Sequence, residues 1–315
     1  MSTETNGFGG VKILLIVNAA ASSVTLRSRV LVQKALSSEH EVQVAETSRR
    51  GHAARLAQNA ASQGVDLVVV FGGDGTLNEA ANGLVGSECA RAPLPVGSTY
   101  VFARTLGLSD DPVEATATIL DALSRSSTRR VGIGSVNRRY FLFHCGIGFD
   151  AAVVEQVERR SGLKRYAGHP LFIYAAMDTW LRHYDRKHPH FRVRFDDGSV
   201  VEDGYFAVCC NTDPYTYLGT RPLHLAPDAT LDDPLTMVTI RTLKLRRLSR
   251  LAGSALLASG SKLRRSRFVD YRPGVRAVTV TSDRPFPYQV DGDFLGHVRS
   301  LEFRYEPDAI RLIVP

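Results

Sequence analysis

Residues 66–84, DLVVVFGGDGTLNEAANGL, run from a strand-length apolar segment through a turn of glycines into a helical pattern, and few folds accept that order. An apolar run without polar alternation is a strand buried on both faces, as in a parallel sheet covered by helices on both sides. A turn that follows such a strand and opens a helix lies at the sheet's carboxyl edge, where ligands of these sheets bind. Glycines let backbone N–H groups approach phosphate oxygens, and the helix N-terminus adds a favourable dipole. The turn is neither of the two common phosphate loops: it lacks Gly-Lys-Ser/Thr and the third glycine of the dinucleotide fingerprint. On these residues alone, a tight turn with Asp74 as helix cap is the alternative.

The flanking sequence repeats the pattern. VKILLIVN, HEVQVAET and VDLVVVF read as strands; TLRSRVLVQKALSS, GHAARLAQNAASQG (ending at Gly64), STYVFARTLG and DPVEATATILDALSR read as helices; APLPVG reads as a short edge strand. Strand and helix alternating over the first 125 residues predict an α/β, Rossmann-like parallel sheet. From about residue 130 the texture changes to short alternating strands between Gly, Pro and Asp turns, with helices near 150–185 and 243–263. That half predicts an antiparallel β-sandwich. The expected domains are 1–130, with 301–315 returning to it, and 131–300.

Composition narrows the class. The 315 residues are 44% hydrophobic, which suits two globular domains, and no 18-residue apolar stretch suggests a membrane span. The N-terminal MSTETNGFGG reads as a loose leader without signal-peptide regions. Cys89, Cys145, Cys209 and Cys210 show neither metal nor disulfide spacing, which favours a reduced cytosol. A net charge of +7 and a pI near 9.4 favour anionic partners. Residues 241–267 hold nine Lys or Arg and no acid, with an apolar stripe at Leu245, Leu248, Ala252 and Leu256. Such a helix either lies on an anionic bilayer or is a core helix with a solvated basic face. The histidines of HYDRKHPH lack metal-ligand spacing, and Trp180 with its neighbours reads as core packing.

FGGDGTLNEAANGLVG followed by PLPVGSTYVFARTLGL resembles the catalytic domain of diacylglycerol kinases, above all the soluble bacterial diacylglycerol kinase-like lipid kinases. Their pattern runs GGDGTxNEVxNGL and then PxGTxNxFAR. ILLIVNAAASS, ETSRRGHAARLA, GIGFDAAVV and QVDGDFLG match further family segments, so the resemblance covers nearly the whole chain. GGDGT also occurs in NAD kinases and sphingosine kinases; the second segment favours the lipid-kinase branch.

The resemblance implies ATP-dependent phosphorylation of a lipid hydroxyl such as that of diacylglycerol, with Mg²⁺. It places Gly72, Gly73, Asp74, Gly75, Thr76, Leu77 and Asn78 around the triphosphate, with Asn18, Ser22, Thr47, Gly97 and Ser98 completing the nucleotide site. It makes Asp293 the general base, with Asp291 beside it, and assigns Asp74 to the charge of Mg²⁺–ATP. ATLDDPL would bind a structural Mg²⁺ through Asp233 and the carbonyls of Thr230 and Leu235, although Pro234 replaces the family Gly and a simple turn is the alternative. Tyr100 stands where the family has an amide-bearing Asn, Ser98 replaces Thr, Ala19 replaces Pro and Asp293 replaces Glu. The expected partner is a lipid at an anionic membrane surface and not nucleic acid, with a homodimer as an open option. The expected location is cytoplasmic, peripheral on the inner face of the membrane. NAD kinase, sphingoid-base kinase and a degenerate nucleotide- or lipid-binding regulator are the competing readings.

Overall fold

Each apolar run in the first part of the chain becomes a strand, and each amphipathic run a helix. β1 (Lys12–Val17), β2 (Glu41–Glu46), β3 (Leu67–Gly72) and β4 (Ala90–Pro95) alternate with α1 (Leu26–Leu36), α2 (His52–Ser62), α3 (Asp74–Leu84), α4 (Val101–Thr105) and α5 (Pro112–Ser124). These elements come from a computed structural model, which describes residues 10–315 except 20, 22–23, 96–100, 161–170, 220 and 258–260. The chain divides into two units, Met1–Arg130 with Ile310–Pro315, and Val131–Ala309.

In the first unit β2, β1, β3 and β4 are neighbours in that order, all parallel. Ile13, Leu15, Leu67, Val69, Ala92 and Leu94 form one buried face, packed with Val32 and Leu36 of α1 and Ile119 of α5. The intervening residues, such as Leu14, Ile16, Val68 and Val70, are buried too. Burial on both faces is why these strands read as unbroken apolar runs. α1 starts at a reciprocal cap in which Thr25 and Ser28 exchange backbone-to-hydroxyl hydrogen bonds of 3.0 and 3.1 Å. α5 starts with Asp111 accepting from Val113 and Glu114, and with Pro112 in its first turn.

β4 is not the edge strand its prolines suggest. It lies between β3 and the last strand, β16 (Asp293–Ile313), and all six residues are buried. Within β4 the last strand pairs with Ala90 and Arg91, ahead of Pro93 and Pro95, so the missing N–H donors fall outside that ladder. The final residues Ile310–Ile313 thus belong to the parallel unit, while the rest of β16 belongs to the other.

The second unit holds β5 (Thr128–Val136, of which Val131 onward belongs here), β6 (Arg139–Phe141), β7 (His144–Gly148), β8 (Phe191–Phe195), β9 (Val200–Gly204), β10 (Phe206–Cys210), β11 (Thr216–Leu218), β12 (Arg221–Leu223), β13 (Leu235–Ile240), β14 (Val269–Val275) and β15 (Ala277–Val290). Its pairings are antiparallel: β14–β13–β10–β7 in one run and β15–β8–β9 in another. β15 joins the runs, pairing with β8 through Val278–Thr281 and with β7 through Tyr288–Val290, with its register broken between. A strand that changes neighbours along its length closes the two layers of a sandwich. Their core includes Phe141, Ile147, Val193, Met237, Phe286 and Phe303. α6 (Phe149–Arg159), α7 (171–178, ending in a π-helical turn at Thr179–His183), α8 (Leu245–Leu257) and α9 (Ser261–Arg264) flank the strands.

α8 carries the basic segment, and part of its apolar surface packs on the protein. Leu248, Leu251 and Ala255 pack with Val208, Ile240 and Val269, whereas Ala252 and Leu245 face outward. The inward face therefore overlaps the expected stripe of Leu245, Leu248, Ala252 and Leu256 only in part, sharing Leu248 while Leu245 and Ala252 face outward. Part of the basic segment is also engaged: Arg247 of α8 lies 3.9 Å from the centre of the Phe268 ring, and Arg264 of α9 pairs with Asp228 at 3.1 Å. α8 thus packs on the core with one face and exposes Arg246 and Arg250 on the other.

Candidate functional site

Parallel strands bring their carboxyl ends to one edge, and that edge gathers most of the nucleotide-site candidates. Asn18 follows β1 and donates its backbone N–H to Phe71 of β3; Thr47 follows β2 and donates its own to Val17 of β1. Asn18 Nδ2 then donates to Thr76 Oγ1 at 2.9 Å, which ties the first loop to the glycine turn. Gly73–Thr76 are partly exposed, whereas Leu77 and Asn78 point inward at 3% and 1% exposure. The Asn78 carbonyl and side-chain oxygens accept from Asn82 Nδ2. Ser22, Gly97, Ser98 and Tyr100 lie outside the described residues.

The helix starts of this unit differ in one respect. α1 and α5 are capped by Thr25 and Asp111, and α2 receives the carboxylate of Glu79, which accepts from Gly51 N at 2.7 Å and Ala53 N at 3.3 Å. Asp74 is not the cap of its own helix: that position is Gly73, in extended conformation, and Asp74 is the first helical residue. Its carboxylate serves α4, accepting from Val101 N at 3.2 Å and Phe102 N at 3.5 Å. α3 has no side-chain cap among the described residues. An eleven-residue helix that opens on glycines without a cap leaves N–H groups available to an anion.

In the second unit the Asp-Gly-Asp turn joins β15 to β16. Asp291, with φ +48°, is 5% exposed. Its carboxylate accepts from Leu142 N at 2.8 Å and from Phe143 N and His144 N at 3.1 Å each, so it organises the chain ahead of β7. Asp293 is half-buried at the start of β16. Between them Gly292 N donates to Gln289 Oε1 at 2.8 Å, and just after them Phe294 N donates to Glu158 Oε1 at 2.9 Å.

Behind the turn lies a polar network that sequence reasoning missed. Gln289 Nε2 donates to Asp150 Oδ2 at 2.9 Å, and the Tyr215 hydroxyl donates to Asp150 Oδ1. Burial raises the Asp150 carboxyl above its usual range, although both hydrogen bonds oppose the shift. Burial pushes the Tyr215 hydroxyl up as well. His144, whose ring lies 4.3 Å from that of Tyr215, is pushed down to about 3 by burial and is neutral. Gly146 leaves the space for this arrangement, since a Cβ there would fall 1.6 Å from Asp150 Oδ2. The signal was in GIGFDAAVV, where Gly146 and Asp150 stand together.

The ATLDDPL segment closes as a turn. Thr230 Oγ1 donates to Asp233 Oδ2 at 2.7 Å, Asp233 N donates to the Thr230 carbonyl at 3.3 Å, and Leu235 starts β13. Among the described residues no group of three His, Cys, Asp or Glu side chains converges as a metal site. The carboxylates that the resemblance assigns to Mg²⁺, Asp74 and Asp233, both accept hydrogen bonds from protein donors. In HYDRKHPH, His183 lies 3.4 Å from Asp178, His188 2.9 Å from Asp185, and His190 stacks on Tyr184.

The family model of the diacylglycerol kinase catalytic domain matches residues 12–136, and that of the YegS C-terminal NAD kinase beta sandwich-like domain matches 144–314. A Chromohalobacter salexigens protein named Probable lipid kinase YegS-like is 31% identical over 58% of this chain, and the match spans 57% of that protein, less than two thirds of its length. A Pseudomonas aeruginosa (strain UCBPP-PA14) protein of the same name is 29% identical over 96% of this chain and 94% of its own. Two crystal structures from Bacillus anthracis str. Sterne superpose with TM-scores of 0.76 and 0.70, at 23% and 21% identity, over 98% and 96% of this chain and 99% and 97% of theirs. The second is described as a diacylglycerol kinase, and at these identities the likeness shows the fold alone. With both family models in sequence and the second alone spanning more than half of the residues, the chain belongs to the diacylglycerol kinase-like lipid kinase family.

Proposed function

We propose that this protein transfers the γ-phosphate of ATP to the hydroxyl of diacylglycerol or a related long-chain lipid. The observation that carries the reading is the start of α3 at Gly73–Thr76, which has no side-chain cap among the described residues and is fastened to Asn18 at the carboxyl edge of a parallel sheet. Phosphoryl transfer needs positioning and charge stabilisation more than covalent chemistry. Backbone N–H groups of the glycine turn hold phosphate oxygens, Asn18 and Thr76 fix the turn, and Thr47 lines the same edge. Asp293 accepts the proton of the lipid hydroxyl, and Asp291 holds the backbone beside it. Mg²⁺ would arrive with ATP and, when bound, would neutralise phosphate charge. The protein works in the cytoplasm at the inner face of the membrane, where its acceptor resides; among the described residues no helix is long and apolar enough to cross a membrane.

The test is transfer of label from γ-labelled ATP into a total lipid extract in detergent micelles, with NAD and sphingosine as parallel acceptors. Label in a diacylglycerol-like lipid is expected. Label in NAD or in sphingosine overturns the choice of acceptor, and no label anywhere supports the regulator reading.

A further inference from the structure

We infer that the outward face of α7 and its π-helical turn docks on an anionic lipid bilayer. The inference deepens the lipid-kinase reading and rests on it.

The described residues leave eleven large apolar side chains exposed, and five of them lie within ten residues: Phe172, Ile173, Tyr174, Met177 and Leu181, at 39% to 59% exposure. The inward face of the helix is already partnered, since Leu171 and Ala175 pack against Val157 of α6. Ile173, Met177 and Leu181 recur every fourth residue on the opposite side, where a solvated helix carries polar residues. Large apolar side chains grouped in this way mark an interaction surface. The expectation of core packing around Trp180 holds in part: Trp180 is half-buried and Thr179 buried, whereas Met177 and Leu181 face outward.

The element is fastened to the unit. Trp180 Nε1 donates to the Leu243 carbonyl at 2.9 Å. Asp178, 6% exposed, accepts from Arg160 at 2.9 Å and Arg182 at 3.3 Å. The apolar side chains are thus held outward by a fixed scaffold.

Charge selects the occupant. Beyond Leu181 the chain forms a depression of about 400 Å³ lined by Leu181–Lys187, with Arg182, Arg186 and Lys187 against the single exposed acid Asp185. Arg160 lies over the Tyr174 ring at 5.5 Å and Arg186 over the Trp180 ring at 4.2 Å. Aliphatic side chains bordered by Tyr, Trp and basic residues match the depth profile of a membrane interface. A second copy of the chain would set one cationic rim against another, whereas an anionic leaflet supplies the opposite charge. α8, the other basic helix, packs Leu248, Leu251 and Ala255 on the protein and leaves Leu245 as its one large exposed apolar side chain among the described residues.

The experiment uses the full chain and vesicles of phosphatidylcholine with or without phosphatidylglycerol. Binding to the anionic vesicles, weakening as salt rises, is expected. Ile173→Asp combined with Leu181→Asp should lower that binding at least about tenfold. The same pair should leave transfer to a detergent-micelle acceptor unchanged. Trp180 is the only tryptophan of the chain, so vesicles brominated near the headgroup should quench its fluorescence without any mutation. The inference is overturned if the wild type ignores anionic vesicles, if Trp180 is not quenched, or if the double variant binds as well as the wild type. A wild-type dimer that the double variant turns into a monomer also overturns it, by assigning the face to a second copy. Vesicle binding that persists without transfer to any lipid in micelles sinks the kinase reading and leaves the docking surface standing.

Discussion

The Asp74 carboxylate receives the first N–H groups of α4 while standing in the turn proposed to hold phosphates, so one side chain fixes the helix that follows β4 and sets the charge of the turn. Asp74→Asn keeps an acceptor and loses the charge. We expect kcat/KM to fall at least about 100-fold, the scale of removing one charge-stabilising group. The loss of stability should be only about 0.3–1 kcal/mol, as for a charge at a helix N-terminus. Steady-state kinetics with a thermal melt check both; wild-type turnover would restrict Asp74 to capping. His144 predicts a pH dependence. Its folded pKa of about 3 lies below the ordinary value near 6.5, so the unfolded chain binds a proton that the folded chain refuses. Its contribution is intact above about pH 6.5 and is lost as pH falls toward 3, with about 2 kcal/mol gone at pH 5. His144→Phe, which keeps a ring beside Tyr215, should flatten urea midpoints between pH 7 and 5. A variant as acid-sensitive as the wild type rejects this assignment.

At the scale of elements, the packing of α2 on α3 explains a motif residue that phosphate binding does not. A Cβ on Gly83 would fall 2.2 Å from the Ala54 carbonyl oxygen, so the helices approach at a distance only glycine allows. Glu79 of α3 meanwhile holds the start of α2. The NEAANGL stretch therefore works largely as a helix–helix joint that steadies the glycine turn. Gly83→Ala should cost about 1–3 kcal/mol, the usual penalty of overpacking. Chemical denaturation measures it, and a change below about 0.5 kcal/mol would mean that the helices part without penalty.

For the whole molecule, the last strand ties the C-terminus to the first unit. Ile310, Leu312 and Ile313 are buried at 0%, 0% and 3% exposure, and Arg311 and Leu312 pair with β4. Deleting 310–315 removes three buried apolar side chains, each worth about 1.5–3 kcal/mol, together with a sheet neighbour. The first unit should lose its cooperative melt while the sandwich, built from Val131–Ala309, keeps one. Calorimetry of the truncated chain distinguishes this from unchanged melting, which would show that the terminal strand is dispensable.

The sequence by itself determined the local structure: apolar runs became strands, Thr25 and Asp111 marked helix starts, and glycines marked the turn at Gly72–Gly75, because period and cap chemistry act within a few residues. It also determined the family, since GGDGT and its companion segments are contiguous. The tertiary structure decided whatever depends on a distant partner. Asp291 serves N–H groups of Leu142, Phe143 and His144, up to 149 residues away, and Asp150 meets Gln289 139 residues away. β4 reads as an edge until a strand from the far end of the chain covers it. The periods of α7 and α8 likewise cannot say which apolar face is spent. Val208, Ile240 and Val269 cover one side of α8, whereas Ile173, Met177 and Leu181 meet no partner that the chain supplies among its described residues. Hydrophobic period records that a face exists; burial depends on which surface the rest of the fold brings against it.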